Sequence, residues 1–434
     1  MSDTLMEVRP KAQVGNDPLD IAIVTMQFPA GAETFVSMRV GELLATGHEV
    51  RVYSFRPPAE NWERLLEERG LSGTPADHNG LWATASGVVA ALSRPALLAR
   101  TLSWLLRTSG RQPEHLVRAL ALLPYAFNVL ARLQTRVPDV VHLEWGHYPS
   151  VLVPMLRWSG VRTVISLGLI AYDLRRGFEG TRTAARMADV VRTQTVANVD
   201  QVAEYTGLDP ADIALVPDGV DTRRNIELSR GVAKVPGRVV VASRLVPHKA
   251  VDEALIAFAA AKDADAKARL HVLGSGPEEA ALKALAVQLG IDDRVSFLGH
   301  ISHDEGIRQI AEAEVLLHLS HEDRLPNAVK EAMVCGTVVV TTRTFGIEEL
   351  IKNGETGYLV EVGDREAASE SLRKALERPQ AHDAMRDAAR ELVTSTMDHE
   401  AAVAKFVRLW REAIARRAAD PTSRTVPVKH GKVT

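Results

Sequence analysis

The chain has a single cysteine, Cys335, so no internal disulfide can form. Its place behind Val334 at an apolar helix end reads as a structural thiol rather than a nucleophile. A chain without disulfides suits a reducing compartment, and the cytoplasm is the expected location. No run approaches about 18 clean apolar residues, so no segment is expected to span a membrane. The amino terminus also lacks the apolar core of a signal peptide. Positive charge is not in excess: the net charge of −3 argues against nucleic acid as the main partner. The first strand–loop–helix unit has no GxGxxG, which leaves a hydride-transfer cofactor poorly supported. Asp263 and Asp265 have the spacing of a DxD metal motif. They precede a strand instead of following one, so they read as a solvated turn and no metal is expected.

Hydrophobic residues at 46% and charged residues at 25% are ordinary for a globular enzyme, and 434 residues suffice for two domains. The expected division is a disordered tail at 1–18, a first domain at 19–225 and a second at 226–396. A helix at 397–417 returns towards the first domain, and a disordered tail at 418–434 follows.

Residues 314–350 organise the reading. A buried strand (Val315 to Leu319) leads into a polar loop, a short helix, a stop at Gly336 and a second strand. Pro326 fits the first turn of the helix, where its missing N–H costs nothing. A helix starting after a strand end offers unpaired N–H groups and partial positive charge, which suits phosphate. The loop and helix start, Arg324, Leu325, Pro326 and Asn327, are therefore candidate ligand-binding positions. Asp323 and Glu331 on either side of them suit sugar or ribose hydroxyls, although a solvated acidic loop explains both as well.

The first domain opens with the strand IAIVTM, the loop FPAGAE, a helix closed by Gly47 and the strand EVRVYS, a βαβ unit. Gly31 in its loop either lets the backbone approach a phosphate or sugar or is a turn glycine. Residues 84–136 break the rhythm with helices interrupted at Pro95, Gly110, Pro113 and Pro124. Arginines 94, 100, 107, 111, 118, 132 and 136 face one acid there, Glu114. With Trp104 expected at the surface, this insertion reads either as a face for an anionic bilayer or as a core-facing insertion with a basic exterior. His142, Glu144 and His147 cluster at a later strand end, where metal binding, substrate contact and packing are the alternatives.

In the second domain, strands and helices alternate as a parallel sheet covered on both faces. Ligands bind such sheets at the carboxyl ends of the strands. Arg244 and Lys249 lie in the first strand-end loop, Gly274 and Gly276 in the second, and Asp323 and Glu331 after the fourth. One rim is expected to gather them.

These segments resemble a known family. FPAGAETFVSMRVGELLATGHEV is similar to the opening of bacterial exopolysaccharide glycosyltransferases. VPDGVDT, SRLVPHK, GSGP, FLGHI and DRLPNAVKEAMVCGTVVVTT follow in the order found in family 4 glycosyltransferases. The resemblance implies a GT-B fold, two Rossmann-like α/β domains with parallel sheets facing a central cleft. It implies a retaining, metal-independent transfer from a nucleotide-diphosphate sugar, with no further cofactor. The acceptor would be a glycan or lipid-linked, in surface polysaccharide biosynthesis, with the enzyme cytoplasmic or peripheral on the inner membrane face. Arg244 and Lys249 would bind the donor diphosphate, Glu331 the ribose and Asp323 the transferred sugar. Ser243 and Ala250 replace glycines that often flank the cations, and Arg324 replaces the Gly after the first carboxylate. The histidine of "T-x-H-G-x-D" is missing from VISLGLIAYDL, where Asp173 is the candidate acid. The same fold also serves sugar-nucleotide epimerases and hydrolases; glycosylation of a soluble small molecule and a degenerate binding subunit are the remaining alternatives.

Overall fold

The computed structural model describes residues 17–30, 34–109, 112–262, 266–377 and 379–419. Gly31, Arg111, Asp263, Asp265 and nearly all of both terminal tails lie outside the described residues. The chain divides into two units, one drawn from Met1–Gln194, Asn198–Val216 and Val403–Thr434, the other from Thr195–Ala197 and Pro217–Ala402.

The first unit is built on a seven-stranded sheet: β1 (Asp20–Thr25), β2 (Glu49–Ser54), β3 (Ala76–His78), β4 (Val140–Leu143), β5 (Val164–Gly168), β6 (Val190–Thr193) and β7 (Ile213–Leu215). They run in the order β3-β2-β1-β4-β5-β6-β7, every pairing parallel. All six residues of β1 are buried, as a central parallel strand covered on both faces requires. The second unit has β8 (Arg238–Ala242), β9 (Arg269–Leu273), β10 (Val295–Gly299), β11 (Val315–His318), β12 (Val338–Thr342) and β13 (Tyr358–Val360). Their order is β10-β9-β8-β11-β12-β13, again parallel throughout. In each sheet the order reverses beside the first strand, at β1/β4 and at β8/β11. Loops leaving those neighbours diverge to opposite faces and open a crevice at their carboxyl ends.

The last helix, His399–Ala419, spans both units in sequence. Within the first unit its Phe406 and Trp410 are fully buried, and Arg417 donates to Asp189 at 2.8 Å and to the Thr163 carbonyl at 2.8 Å.

The basic insertion departs from expectation in two ways. Its helices are Leu81–Leu92, Pro95–Ser109 and Pro113–Thr135, so Pro124 lies inside a helix and does not break it. The Pro124 carbonyl is covered by Gly87, where an added Cβ would come within 1.8 Å of it. Trp104, expected at the surface, is only 8% exposed and packs edge-on to Trp158 and Phe178. The Pro113–Thr135 helix is also long and apolar enough to cross a membrane by length and composition, although Arg118 and Arg132 interrupt it and leave no clean apolar run. Half of that stretch is buried, with Phe127, Val129 and Leu130 in the core of the first unit. Its apolarity serves that packing.

Candidate functional site

The second unit gathers the candidate residues at the β8/β11 crevice. The loop after β8 carries Arg244 and then a short turn, Pro247–Lys249. The loop after β9 lies directly against it: Leu245 N–H donates to the Ser275 carbonyl at 3.0 Å. A Cβ on Gly274 would sit 1.9 Å from the Ser243 carbonyl oxygen, and one on Gly276 2.2 Å from that of Leu245. Both glycines are therefore required by the approach of two backbones. Ala250 adopts φ 46°, a conformation natural to the glycine that the motif led one to expect there.

Arg244, Gly274 and Glu331 line one cavity of about 280 Å³ together with Ser275, Ala328, His300 and His303. Glu331 sits within the helix Asn327–Val334, whose N-cap is Pro326, one position earlier than a first-turn proline. Its carboxylate lies 2.9 Å from His303 Nε2. That hydrogen bond, outweighing burial, raises the imidazole above its ordinary pKa. Neither His300 nor His303 was singled out from the sequence; His300 lies in the loop after β10 and His303 opens the helix His303–Glu312.

Lys249 and Asp323 meet directly as an ion pair. Asp323 also faces His318 Nε2 at 3.1 Å and accepts from the Arg324 N–H at 3.0 Å. Burial would raise its carboxyl pKa, but His318 and the Lys249 charge hold it well below the usual range. The loops interlock here, since His321 N–H and Ser320 Oγ both donate to the His248 carbonyl at 2.9 Å. Arg324 stacks its guanidinium over Phe345, 4.5 Å from the ring centre. Leu325 has φ 44°, a strained value that bends the chain into the helix. Beneath the site Lys330 is fully buried and donates to the Asp218 carbonyl at 2.6 Å, and burial pushes its pKa down to about 8. Nothing in the local sequence signals this anchor, because its partner is far away in the chain.

In the first unit, His142, Glu144 and His147 do not form one group. Glu144 is enclosed by Arg39, by Arg192 Nη2 at 3.4 Å and by His142 Nε2 at 3.5 Å. The rings of Phe406 and Trp410 pack on His142 of this cluster, and Arg39 lies 4.3 Å above Phe406. His147 turns away to Asp173, whose Oδ1 lies 2.8 Å from Nδ1 and accepts from the His147 N–H at 3.1 Å. An imidazole thus still sits on this acid, supplied by the loop after β4 and not by β5.

Two parallel-sheet α/β units of this strand order, with these solved neighbours, define a GT-B fold. Anabaena HepE in complex with UDP is similar at a TM-score of 0.66 and 17% identity, over 90% of this chain and 99% of that one. Residues 224–392 match the family of glycosyl transferases group 1. A GDP-mannose-dependent alpha-(1-6)-phosphatidylinositol dimannoside mannosyltransferase of Mycobacterium tuberculosis is 28% identical over 323 residues, 69% of this chain and 80% of that protein. N-acetyl-alpha-D-glucosaminyl L-malate synthase of Bacillus anthracis is 28% identical over 241 residues, covering 54% of this chain and 62% of that protein. The chain carries a glycosyl transferases group 1 domain and is of the hexosyltransferase class.

Proposed function

We propose that this chain is a retaining, metal-independent glycosyltransferase of family 4 type that moves a hexosyl group from a nucleotide-diphosphate sugar to a glycan or lipid-linked acceptor. The observation that carries this reading is the shared cavity of Arg244 and Glu331 at the β8/β11 crevice, with the Lys249–Asp323 pair in the adjoining loops. Breaking the sugar–phosphate bond loads negative charge on the leaving diphosphate while the sugar gains oxocarbenium character. Arg244 and Lys249 neutralise that charge, assisted by the start of the helix Asn327–Val334. Side-chain cations do here what a divalent ion does elsewhere. Glu331 accepts from ribose hydroxyls, with His303 fixing its orientation. Asp323 accepts from hydroxyls of the transferred sugar, and Lys249 leaves it for the phosphate when donor binds. The acceptor hydroxyl attacks from the face of the leaving phosphate oxygen, which takes its proton, so configuration is retained without a covalent enzyme intermediate.

The names of the relatives support a nucleotide-sugar donor: one uses GDP-mannose, and the HepE structure holds UDP. The mannosyltransferase's name carries a phosphatidylinositol dimannoside, which supports a lipid-linked acceptor. Transfer at the inner face of the cell membrane, in surface polysaccharide synthesis, completes the proposal. Screening nucleotide sugars for thermal stabilisation, in excess chelator, tests the donor assignment. A true donor at about a hundred times its Kd should add roughly 2.7 kcal/mol. No stabilisation by any nucleotide or nucleotide sugar would overturn it, and sugar release without an acceptor would turn the reading into an epimerase or hydrolase.

A further inference from the structure

We infer that the outer face of the helix Leu81–Leu92 is a docking surface for an anionic lipid bilayer, with Leu81, Trp82, Val89 and Leu92 as its inserting side chains. The inference rests on the lipid-linked reading for its purpose, but its geometry stands apart from the donor site. The helix has only Thr84 and Ser86 as polar residues and packs inside out. Its inward positions are small: Gly87 lies against the Pro124 backbone, and Ala91 is 8% exposed. Its large residues point to solvent, with Leu81 90%, Trp82 88%, Val89 68% and Leu92 68% exposed. Positions 81, 82, 85, 88, 89 and 92 fall on one stripe of a 3.6-residue helix. Nothing in folding rewards large apolar groups held in water while small ones take the core side. Removal of that stripe from water by an external apolar phase does.

The surroundings extend the patch and give its sign. Gly87 meets Pro124 and Arg94 donates to Gln134 Oε1 at 2.9 Å, so this helix runs parallel to Pro113–Thr135. Leu81 and Trp82 therefore lie at the end of that helix which carries the exposed Val117 and Leu120. Of the seven arginines at 84–136, Arg118, Arg132 and Arg136 are paired with Glu114, with Asp77 and with Asp20 and Glu49. Among the described residues Arg94, Arg100 and Arg107 have no such acid: Arg94 bonds to Gln134 and Arg100 stacks over Trp158. A second copy would set this positive charge against itself, whereas an anionic leaflet complements it. The helix meets Pro95–Ser109 at a 105° bend, so the two do not form one straight apolar rod. Trp82, near the helix start, has the amphipathic ring favoured at a membrane–water interface.

Vesicle binding of the full chain tests this. The wild type should co-sediment with vesicles containing phosphatidylglycerol, bind neutral phosphatidylcholine far less, and detach at about 0.5 M salt. Brominated acyl chains should quench part of its tryptophan fluorescence, and Trp82→Phe should remove that part. Trp82→Ser with Val89→Ser should lower partitioning by roughly tenfold or more, while nucleotide-sugar stabilisation of melting stays at the wild-type level. Absence of binding to anionic vesicles, or unchanged binding and quenching in the variants, would overturn the inference. So would a wild-type dimer in sedimentation velocity that the double variant dissociates, which would make the face a homotypic contact. Failure of every sugar nucleotide to stabilise the protein would instead strike the donor reading and leave the lipid result intact.

Discussion

Glu144 in the first unit and Asp323 in the second are both carboxylates just beyond a central strand, and both titrate well below the usual range. The causes are alike: burial pushes each upward, and neighbouring cations and histidines more than reverse it. Their surroundings differ. Glu144 is sealed, with Arg39 and Arg192 against it at 4% and 1% side-chain exposure and two aromatic rings packed on the neighbouring His142. Lys249 and Asp323 retain 14% and 18%, and the nearby Arg244 and Glu331 border a cavity. A charge cluster closed on itself can only hold shape. One that leaves room beside it can exchange a partner for a ligand.

Breaking each cluster should therefore have different consequences. Glu144→Gln leaves two buried arginines without their counter-charge and should lower stability by about 3–5 kcal/mol, read from denaturant unfolding. Arg244→Ala should leave unfolding nearly unchanged, and Lys249→Ala should cost less than Glu144→Gln, because His318 still faces Asp323. Both should slow transfer at least about a hundredfold, equivalent to roughly 3 kcal/mol of barrier. Near-normal turnover in both would remove the rim from the mechanism.

Acid should distinguish the sealed cluster further. The folded pKa of Glu144 lies below the ordinary value of 4.5, so its contribution is complete above that pH. It is then lost as the pH falls towards the folded value. Stability should decline below about pH 4.5, and Glu144→Gln should make that decline shallower. An identical decline in the variant would remove Glu144 as its source.

The smallest effect concerns the rim's backbone. Ala250 holds φ 46° where glycine is at ease. Relief of about 1–2 kcal/mol of strain, offset by the extra freedom of glycine when unfolded, should make Ala250→Gly more stable by about 0.5–1 kcal/mol. A destabilised Ala250→Gly would mean that the surrounding loop, and not the residue, sets this angle.

Much of this was legible in the chain, and the pattern of what was not has a physical basis. The main strands announce themselves by apolar runs such as those at β1 and β12, because central parallel strands are buried on both faces. β3 did not: Ala76–His78 is three residues long and half-buried throughout. Arg244, Lys249, Asp323 and Glu331 could be read from strand-end spacing, because the topology brings those loops to one edge. His303 and Lys330 could not, since their partners Glu331 and Asp218 are assigned only by packing. The tryptophans of the insertion show the same limit. Trp104 and Trp82 both sit among apolar helical residues, but Trp104 is covered by Trp158 and Phe178 from distant segments while Trp82 is 88% exposed.

The β8/β11 rim is expected to hold a nucleotide-sugar diphosphate with side-chain cations alone. Equilibrium titration of nucleoside diphosphates in excess chelator, with wild type and Arg244→Ala, tests it most directly. Saturable binding by the wild type, weakened by roughly tenfold or more in the variant, is the predicted result. Equal affinity in both proteins, or binding that appears only when a divalent ion is supplied, would contradict it.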